Sequence, residues 1–401
     1  MTAASLHDTL DALLADAVAH DVAPGIMLAV TGRDDVLYEG AAGLRGVGAE
    51  QAATPTTPLR IASMTKALAS VAALQLIEEG RLGLDDEVAS IVPAFGDLQV
   101  LEGFDGDVPR LRPPASAATV AQLLTHTSGH GYWFSNADLL RYRALTGLPD
   151  IVTSERAALH APLIADPGTR WEYGISTDWL GQVIEAVAGR TLGEQLAERV
   201  FTPLGMEQTT FRPSAEQRAQ RLRLADRAPG GGLVESVYDW PAAPEIDAGG
   251  HGAWSTAHDY GRFLRALLRD GELDGARVLA PETVELAFTD RLGGIVLPEV
   301  VPTFAPELMH EVPSLPLAQG WGLGFQLLLE DLPELRCAGT GFWSGVFNTY
   351  FWIDRASGIA GTVMTQVRPF FDPAILGTAI ELERAVYAAL GEPAGATTER
   401  G

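Results

Sequence analysis

The chain of 401 residues has a single cysteine, Cys337. No intrachain disulfide is possible. Cys337 lies in Glu334-Leu335-Arg336-Cys337-Ala338, a stretch that reads as a strand. No context that would lower its pKa is visible, so it reads as a buried, inert thiol. Basic residues are scarce: 28 Lys and Arg stand against 52 Asp and Glu, a net charge of −24. Such a surface repels nucleic acid and anionic membranes, and neither is expected as a partner. No stretch of 18 uninterrupted apolar residues could span a bilayer, and Met1 to Asp16 carries no basic segment followed by an apolar one. A soluble, cytoplasmic protein is expected. Gly-x-Ser-x-Gly is absent, which removes the nucleophile elbow of α/β-hydrolases. No glycine-rich phosphate loop follows a strand. His126 and His130 are four residues apart, but Ser128-Gly129 between them suits a loop, and no acidic third ligand stands at a recognised spacing. No metal and no cofactor are expected.

What the chain does have is apolar residues, 47% of the total, enough for one large domain or two interleaved ones. Gly25–Val30 and Val36–Glu39 flank a turn and predict a hairpin. A second hairpin is predicted over Leu98–Arg112. Thr119, Thr191 and Thr256 stand as helix caps, the first two in capping-box patterns. Residues 137–202 read as mostly helical and 212–248 as irregular. Ser5 reads as the cap of a first helix. Strands are predicted at Gly324–Glu330, Leu335–Ala338, Asn348–Ile353 and Ile359–Gln366. Asp372-Pro373 opens a last helix, and 391–401 reads as a frayed tail. Strands at both ends with helices between them predict an α+β fold: one antiparallel sheet covered by terminal helices, with a mainly helical domain inserted. The boundaries expected are 1–85 with 255–401 for the sheet domain and 86–254 for the insertion.

One tetrapeptide carries chemistry. Ser63-Met64-Thr65-Lys66 opens an apolar helical pattern through Met64, Ala67, Leu68, Val71, Leu74 and Ile77, closed by Gly80. Residues three apart share a helix face, so the Lys66 amine can reach the Ser63 hydroxyl and act as its base. The helix N-terminus would favour negative charge developing there.

Two further segments accompany it: Pro167-Gly168-Thr169-Arg170-Trp171-Glu172-Tyr173, and Trp343-Ser344-Gly345 before the strand at Asn348–Asp354. With Ser63-x-x-Lys66 they resemble the signature set of the serine β-lactamase and penicillin-binding protein superfamily, and within it the class C-like branch that holds the family VIII carboxylesterases. Leu123-Leu124-Thr125-His126-Thr127-Ser128-Gly129, Pro203-Leu204-Gly205-Met206 and Gly249-Gly250 extend the likeness over about residues 22–390. The resemblance implies a serine β-lactamase-like fold and an acyl-enzyme on Ser63. It implies that Lys66 and Tyr173 share the proton transfers, and that the N–H groups of Ser63 and Val346 form the oxyanion hole. Taken alone, Tyr173 fits a packed core tyrosine equally well.

Two departures bear on substrate. Trp343 stands where lactamases carry lysine, and Tyr173-Gly174-Ile175 stands where they carry Tyr-x-Asn. An indole and an aliphatic chain in place of a cation and an amide favour an apolar, uncharged acyl or alcohol group. Trp343 also fits simple packing under the sheet. Candidate substrate contacts are Trp343, Gly345, Ile175, Tyr132, Trp133 and Phe134. The expected function is a serine carboxylesterase acting on small-molecule esters. The alternatives are an acyltransferase using the same acyl-enzyme, a β-lactamase or D-amino-acid peptidase, and a penicillin-sensing module that acylates without turnover.

Overall fold

The computed structural model describes residues 3–241 and 243–390. Its centre is a seven-stranded, fully antiparallel sheet. The strands are β1 (Gly25–Gly32), β2 (Val36–Gly43), β3 (Gln319–Trp321), β4 (Gln326–Leu328), β5 (Gly341–Gly345), β6 (Thr349–Asp354) and β7 (Ile359–Met364), in the order β3-β4-β5-β6-β7-β1-β2. The first hairpin, β1–β2, therefore adds to the far edge of a five-stranded meander from the other end of the chain, as the expected sheet required.

Alternation along β1 explains the layers. Ile26, Leu28 and Val30 face one cluster and Met27 and Ala29 another, the period-2 signature of a strand buried on both faces. The first cluster is closed by helices α1 (Ala3–Ala19) and α6 (Pro373–Leu390), through Leu6, Leu10, Leu14, Leu382, Val386 and Tyr387. The second is closed by α2 (Thr65–Glu78) and α5 (Ala257–Leu268). Every residue of α2 from Thr65 to Leu76 is buried, because the helix runs between the sheet and the helical region formed largely by residues 120–201. In that region lie α3 (Val120–Leu124) and α4 (Ser176–Ala188). Thr119 and Thr191 close capping boxes, and Thr256 caps α5 by accepting from Asp259 N. The second hairpin forms between Val100–Asp105 and Val108–Arg112.

Four expectations need correction. Leu335–Ala338 is a turn, not a strand. Its backbone bonds to a loop and a side chain instead of a strand, with Leu332 N donating to Arg336 O and Cys337 N donating to Asp354 Oδ2. The strand predicted over Gly324–Glu330 is confined to Gln326–Leu328. Residues 212–248 hold a short helix, Ala215–Gln220, and a ladder pairing Ala225–Arg227 with Leu233–Glu235. The first helix is already formed at Ala3, so Ser5 stands inside it and is not its cap. The tail at 391–401 lies outside the described residues. Among the described residues no helix is long and apolar enough to cross a membrane.

Candidate active site

Ser63 lies in a 3-10 turn, Ala62–Met64, that leads directly into α2. The preceding residue, Ala62, is buried with φ +46°, in a region L-residues rarely adopt, and it turns the chain from the short strand Leu59–Arg60 into the helix. This turn is held by the segment at 250–255. Leu59–Arg60 pairs with Trp254–Ser255, Ile61 N donates to Ala253 O, and Ala253 N donates to Thr65 Oγ1. From α5, the Tyr260 hydroxyl donates to Met64 O.

Lys66 follows one helical turn later and is 2% exposed. It is the chain's one lysine. Its Nζ donates to Ser63 Oγ at 3.2 Å, to the Tyr132 hydroxyl at 3.0 Å and to Gly250 O at 2.8 Å. A carbonyl oxygen can only accept, so one N–H is committed to Gly250 whether the nitrogen is an ammonium or an amine. The two remaining positions on the nitrogen face Ser63 and Tyr132. When Lys66 is neutral, its lone pair points at one of those two hydroxyls.

Tyr132 and Tyr173 both flank this nitrogen, which sits 5.4 Å and 4.8 Å from their ring centroids. The two rings meet edge to face at 5.1 Å. Their hydroxyls have different partners. Tyr132 OH accepts from Lys66, whereas Tyr173 OH accepts from Trp343 Nε1 at 3.0 Å. Among the described residues, the Tyr173 hydroxyl makes no hydrogen bond to Ser63 or Lys66. The sequence singled out Tyr173 and left Tyr132 as a wall of the pocket; the structure hydrogen-bonds Tyr132 to the amine. Burial, with Tyr173, Asp178 and Asp150 adding to it, raises the Tyr132 hydroxyl well above the ordinary phenol range and keeps it protonated. His126 is fully buried with φ +56° and packs its ring on Tyr173, Trp171 and Trp321. Burial, then the charge of Lys66, holds this imidazole neutral.

The backbone on the other side of Ser63 comes from the end of β5. Gly345 runs against Ile61 and Ala62 so closely that a Cβ there would overlap the Ile61 carbonyl and Thr349 Oγ1. This approach holds the end of β5 against the turn that carries Ser63.

Trp343 packs as part of an aromatic chain. It meets Trp321 at 4.7 Å and Tyr173 at 4.9 Å, and Tyr132 in turn stacks on Phe134 at 4.7 Å. The indole is thus more than an apolar wall: its N–H is spent on Tyr173. Trp133 is clamped from outside by Arg143, 4.6 Å from its ring. Ile175 is 3% exposed and belongs to the main core, so it packs beneath the site and presents little surface to the cleft. Phe304 N donates to Phe134 O, while Phe370 N donates to Leu308 O and His310 N to Phe370 O. Residues 304–310 therefore tie the helical side of the cleft to the sheet side. Sequence reasoning gave this strap no role, because backbone bonds leave no residue signature. Cys337 is partly exposed, and burial pushes its thiol up to about 11, away from reactivity.

Residues 10–384 match the Beta-lactamase family. The chain belongs to that family. Curated relatives include lovastatin esterase of Penicillium rubens, 33% identical over 84% of this chain and 86% of that protein. Monacolin J acid methylbutanoyltransferase of Aspergillus terreus is 32% identical over 83% of this chain and 82% of its own length. Among solved structures, a mutant of the Aspergillus terreus simvastatin synthase LovD superposes with a TM-score of 0.83 at 30% identity, covering 96% of this chain and 97% of its own. The β-lactamase-like fold expected from the three sequence segments is the fold observed, and this member of the Beta-lactamase family is an enzyme.

Proposed function

We propose that this Beta-lactamase family member is a serine carboxylesterase, working through an acyl-enzyme on Ser63 and acting on small-molecule esters of apolar, uncharged groups. The observation that carries the reading is a nearly buried amine, Lys66 Nζ, 3.2 Å from the Ser63 hydroxyl and flanked by the Tyr132 and Tyr173 rings. Ser63 Oγ attacks the acyl carbon as its proton passes to Lys66. The oxyanion takes the N–H groups of Ser63 and Val346; loss of one such donor typically costs about 100- to 1000-fold in rate. The leaving alkoxide then takes a proton from the Lys66–tyrosine pair, and the alcohol departs. Water then attacks the acyl carbon as it gives a proton to the same pair; the bond to Ser63 Oγ breaks, Ser63 Oγ takes that proton back, and the acid departs.

Trp343 supports the ester preference. Its indole supplies the Tyr173 hydroxyl with a hydrogen bond but no positive charge. A carboxylate on the substrate would find no cation at that position. The Trp343-Ser344-Gly345 segment also supports placement with the family VIII carboxylesterases. Acyl transfer to an alcohol is the second reading, favoured by the similarity to both a named esterase and a named methylbutanoyltransferase. The two share the first half-reaction and differ in what attacks the acyl-enzyme.

The test is turnover of nitrophenyl butyrate with and without an added alcohol, in the parent and in Ser63→Ala. Hydrolysis that Ser63→Ala abolishes supports the esterase. A new ester formed in preference to free acid supports the transferase. Activity surviving in Ser63→Ala overturns both.

A further inference from the structure

Beneath Lys66 lies a carboxylate that the reading above leaves unused. Asp178 stands in the first turn of α4, and its side chain has no exposed surface. Its Oδ1 accepts from Gly250 N at 2.9 Å, and its Oδ2 has no hydrogen-bond partner. Gly250 is the residue whose carbonyl accepts from Lys66 Nζ at 2.8 Å. One residue therefore joins the buried carboxylate to the buried amine, its N–H held by the first and its C=O by the second. Contact is close enough that a Cβ at Gly250 would overlap Asp178 Oδ2.

We propose that Asp178 is a positioning residue for Lys66: its carboxylate fixes Gly250, so that the Gly250 carbonyl anchors the amine opposite Ser63, and its charge balances the buried ammonium. A bare buried charge is costly, and a carboxylate without a counter-ion at this depth would be neutralised or expelled. Two features suit the negative form at Asp178. The first turn of α4 offers the positive end of the helix dipole, and the Gly250 N–H bonds the charged oxygen.

The other titratable groups around the pair are few. His251 Nδ1 is 3.5 Å from Asp178 Oδ1, and its Nε2 lies 3.4 Å from Ser154 Oγ. His130, held neutral by burial with its pKa lowered to about 3, also feels the Asp178 charge. Tyr132, Tyr173 and His126 face Lys66 from the helical side. Among the described residues, Gly250 alone joins Asp178 to Lys66, through its N–H on one side and its C=O on the other. Asp178 lies five residues after Tyr173 in sequence, and nothing in its spacing marked it, because it acts through the backbone of a residue 72 positions away.

The inference rests on Lys66 carrying the Ser63 proton, but the first readout of its test does not depend on turnover. Lysine labelled with 15N or 13C gives one side-chain resonance, since the chain has one lysine. That resonance is titrated in the parent protein, in Asp178→Asn and in Glu185→Gln, a change at a carboxylate on the same helix that contacts neither Gly250 nor Lys66. Asp178→Asn keeps the shape and removes the charge. The lysine resonance is expected to titrate at lower pH in Asp178→Asn, the alkaline rise of kcat to shift with it, and Glu185→Gln to match the parent. Gly250→Ala approaches the same contact from the other side. Its methyl displaces the carboxylate, and the resonance is expected to move in the same direction. A lysine titration and a pH–rate profile unchanged in both Asp178→Asn and Gly250→Ala overturn the inference. The Ser63→Ala assay is independent of it, so failure of the acyl-enzyme reading shows separately.

Discussion

Around Ser63 the amine and the two tyrosine hydroxyls have distinct hydrogen-bond partners, and those contacts give sharp outcomes. Trp343→Phe keeps an aromatic ring against Trp321 and Tyr173 but deletes the N–H donated to the Tyr173 hydroxyl. Losing a hydrogen bond of this kind costs about 1–3 kcal/mol. A fall of about 10- to 100-fold in kcat with little change in KM is the expected result of steady-state assays. Tyr132→Phe removes the acceptor 3.0 Å from Lys66 Nζ and is expected to lower kcat by about 100-fold or more. Tyr173→Phe instead orphans the indole N–H of Trp343. Comparing the pH–rate profiles of the two variants tells which hydroxyl exchanges protons with Lys66. The Ser63–Lys66 contact was legible in the sequence because both residues lie within one helical turn. The Tyr132–Lys66 contact spans 66 positions, and a tyrosine beside Trp133 and Phe134 reads from sequence as one more apolar ring. The Gly250 carbonyl has no side chain to announce it.

Elements position these residues, and their own joints can be tested. Helix α6 is fastened to the outer face of the sheet by Glu383, which receives Arg336 Nε at 2.6 Å and Nη2 at 2.7 Å. Glu383 is 3% exposed, and the guanidinium also lies over the Trp352 and Phe342 rings. Breaking a buried pair from one side leaves the partner charge unmatched, at a cost of about 3–5 kcal/mol. Glu383→Gln is expected to lose that much in urea denaturation, while the residual folded enzyme keeps its kcat, because the pair lies on the face of the sheet away from Ser63. Gly345→Ala is expected to do the reverse. Its methyl meets the Ile61 carbonyl where β5 passes the turn that carries Ser63, so turnover falls more steeply than stability. The helices and the first hairpin were readable in advance because caps, turns and periodicity are local. Leu335–Ala338 misled because its apolar residues resemble a strand while Arg336 is turned to Glu383 and Cys337 N to an aspartate 17 positions on, neither of which is local.

Across the molecule, buried imidazoles couple folding to acid. His130 has its pKa lowered to about 3, and His126 is also held well below the usual imidazole range, both chiefly by burial. The unfolded chain binds those protons from about pH 6.5 downward, whereas folded His130 does not until about pH 3. The unfolded state therefore holds more protons in that window, and stability falls as pH drops through it, by about 1.4 kcal/mol per pH unit for each histidine. The buried carboxyls of Glu172 and Asp259, raised by desolvation, act in the opposite sense at the acid end. Comparison with His130→Gln isolates the histidine contribution: its urea-unfolding free energy is expected to drop less between pH 7 and pH 5 than that of the parent, and equal slopes would contradict the assignment. The proposal that matters most is the covalent link between substrate and Ser63. Mixing the enzyme with excess nitrophenyl butyrate, quenching in acid within the first turnovers and weighing the intact protein tests it directly. The expected result is one added butyryl group, mapped by fragmentation to the peptide bearing Ser63 and absent from Ser63→Ala. Full ester turnover with no adduct, or an adduct on any other side chain, would contradict it.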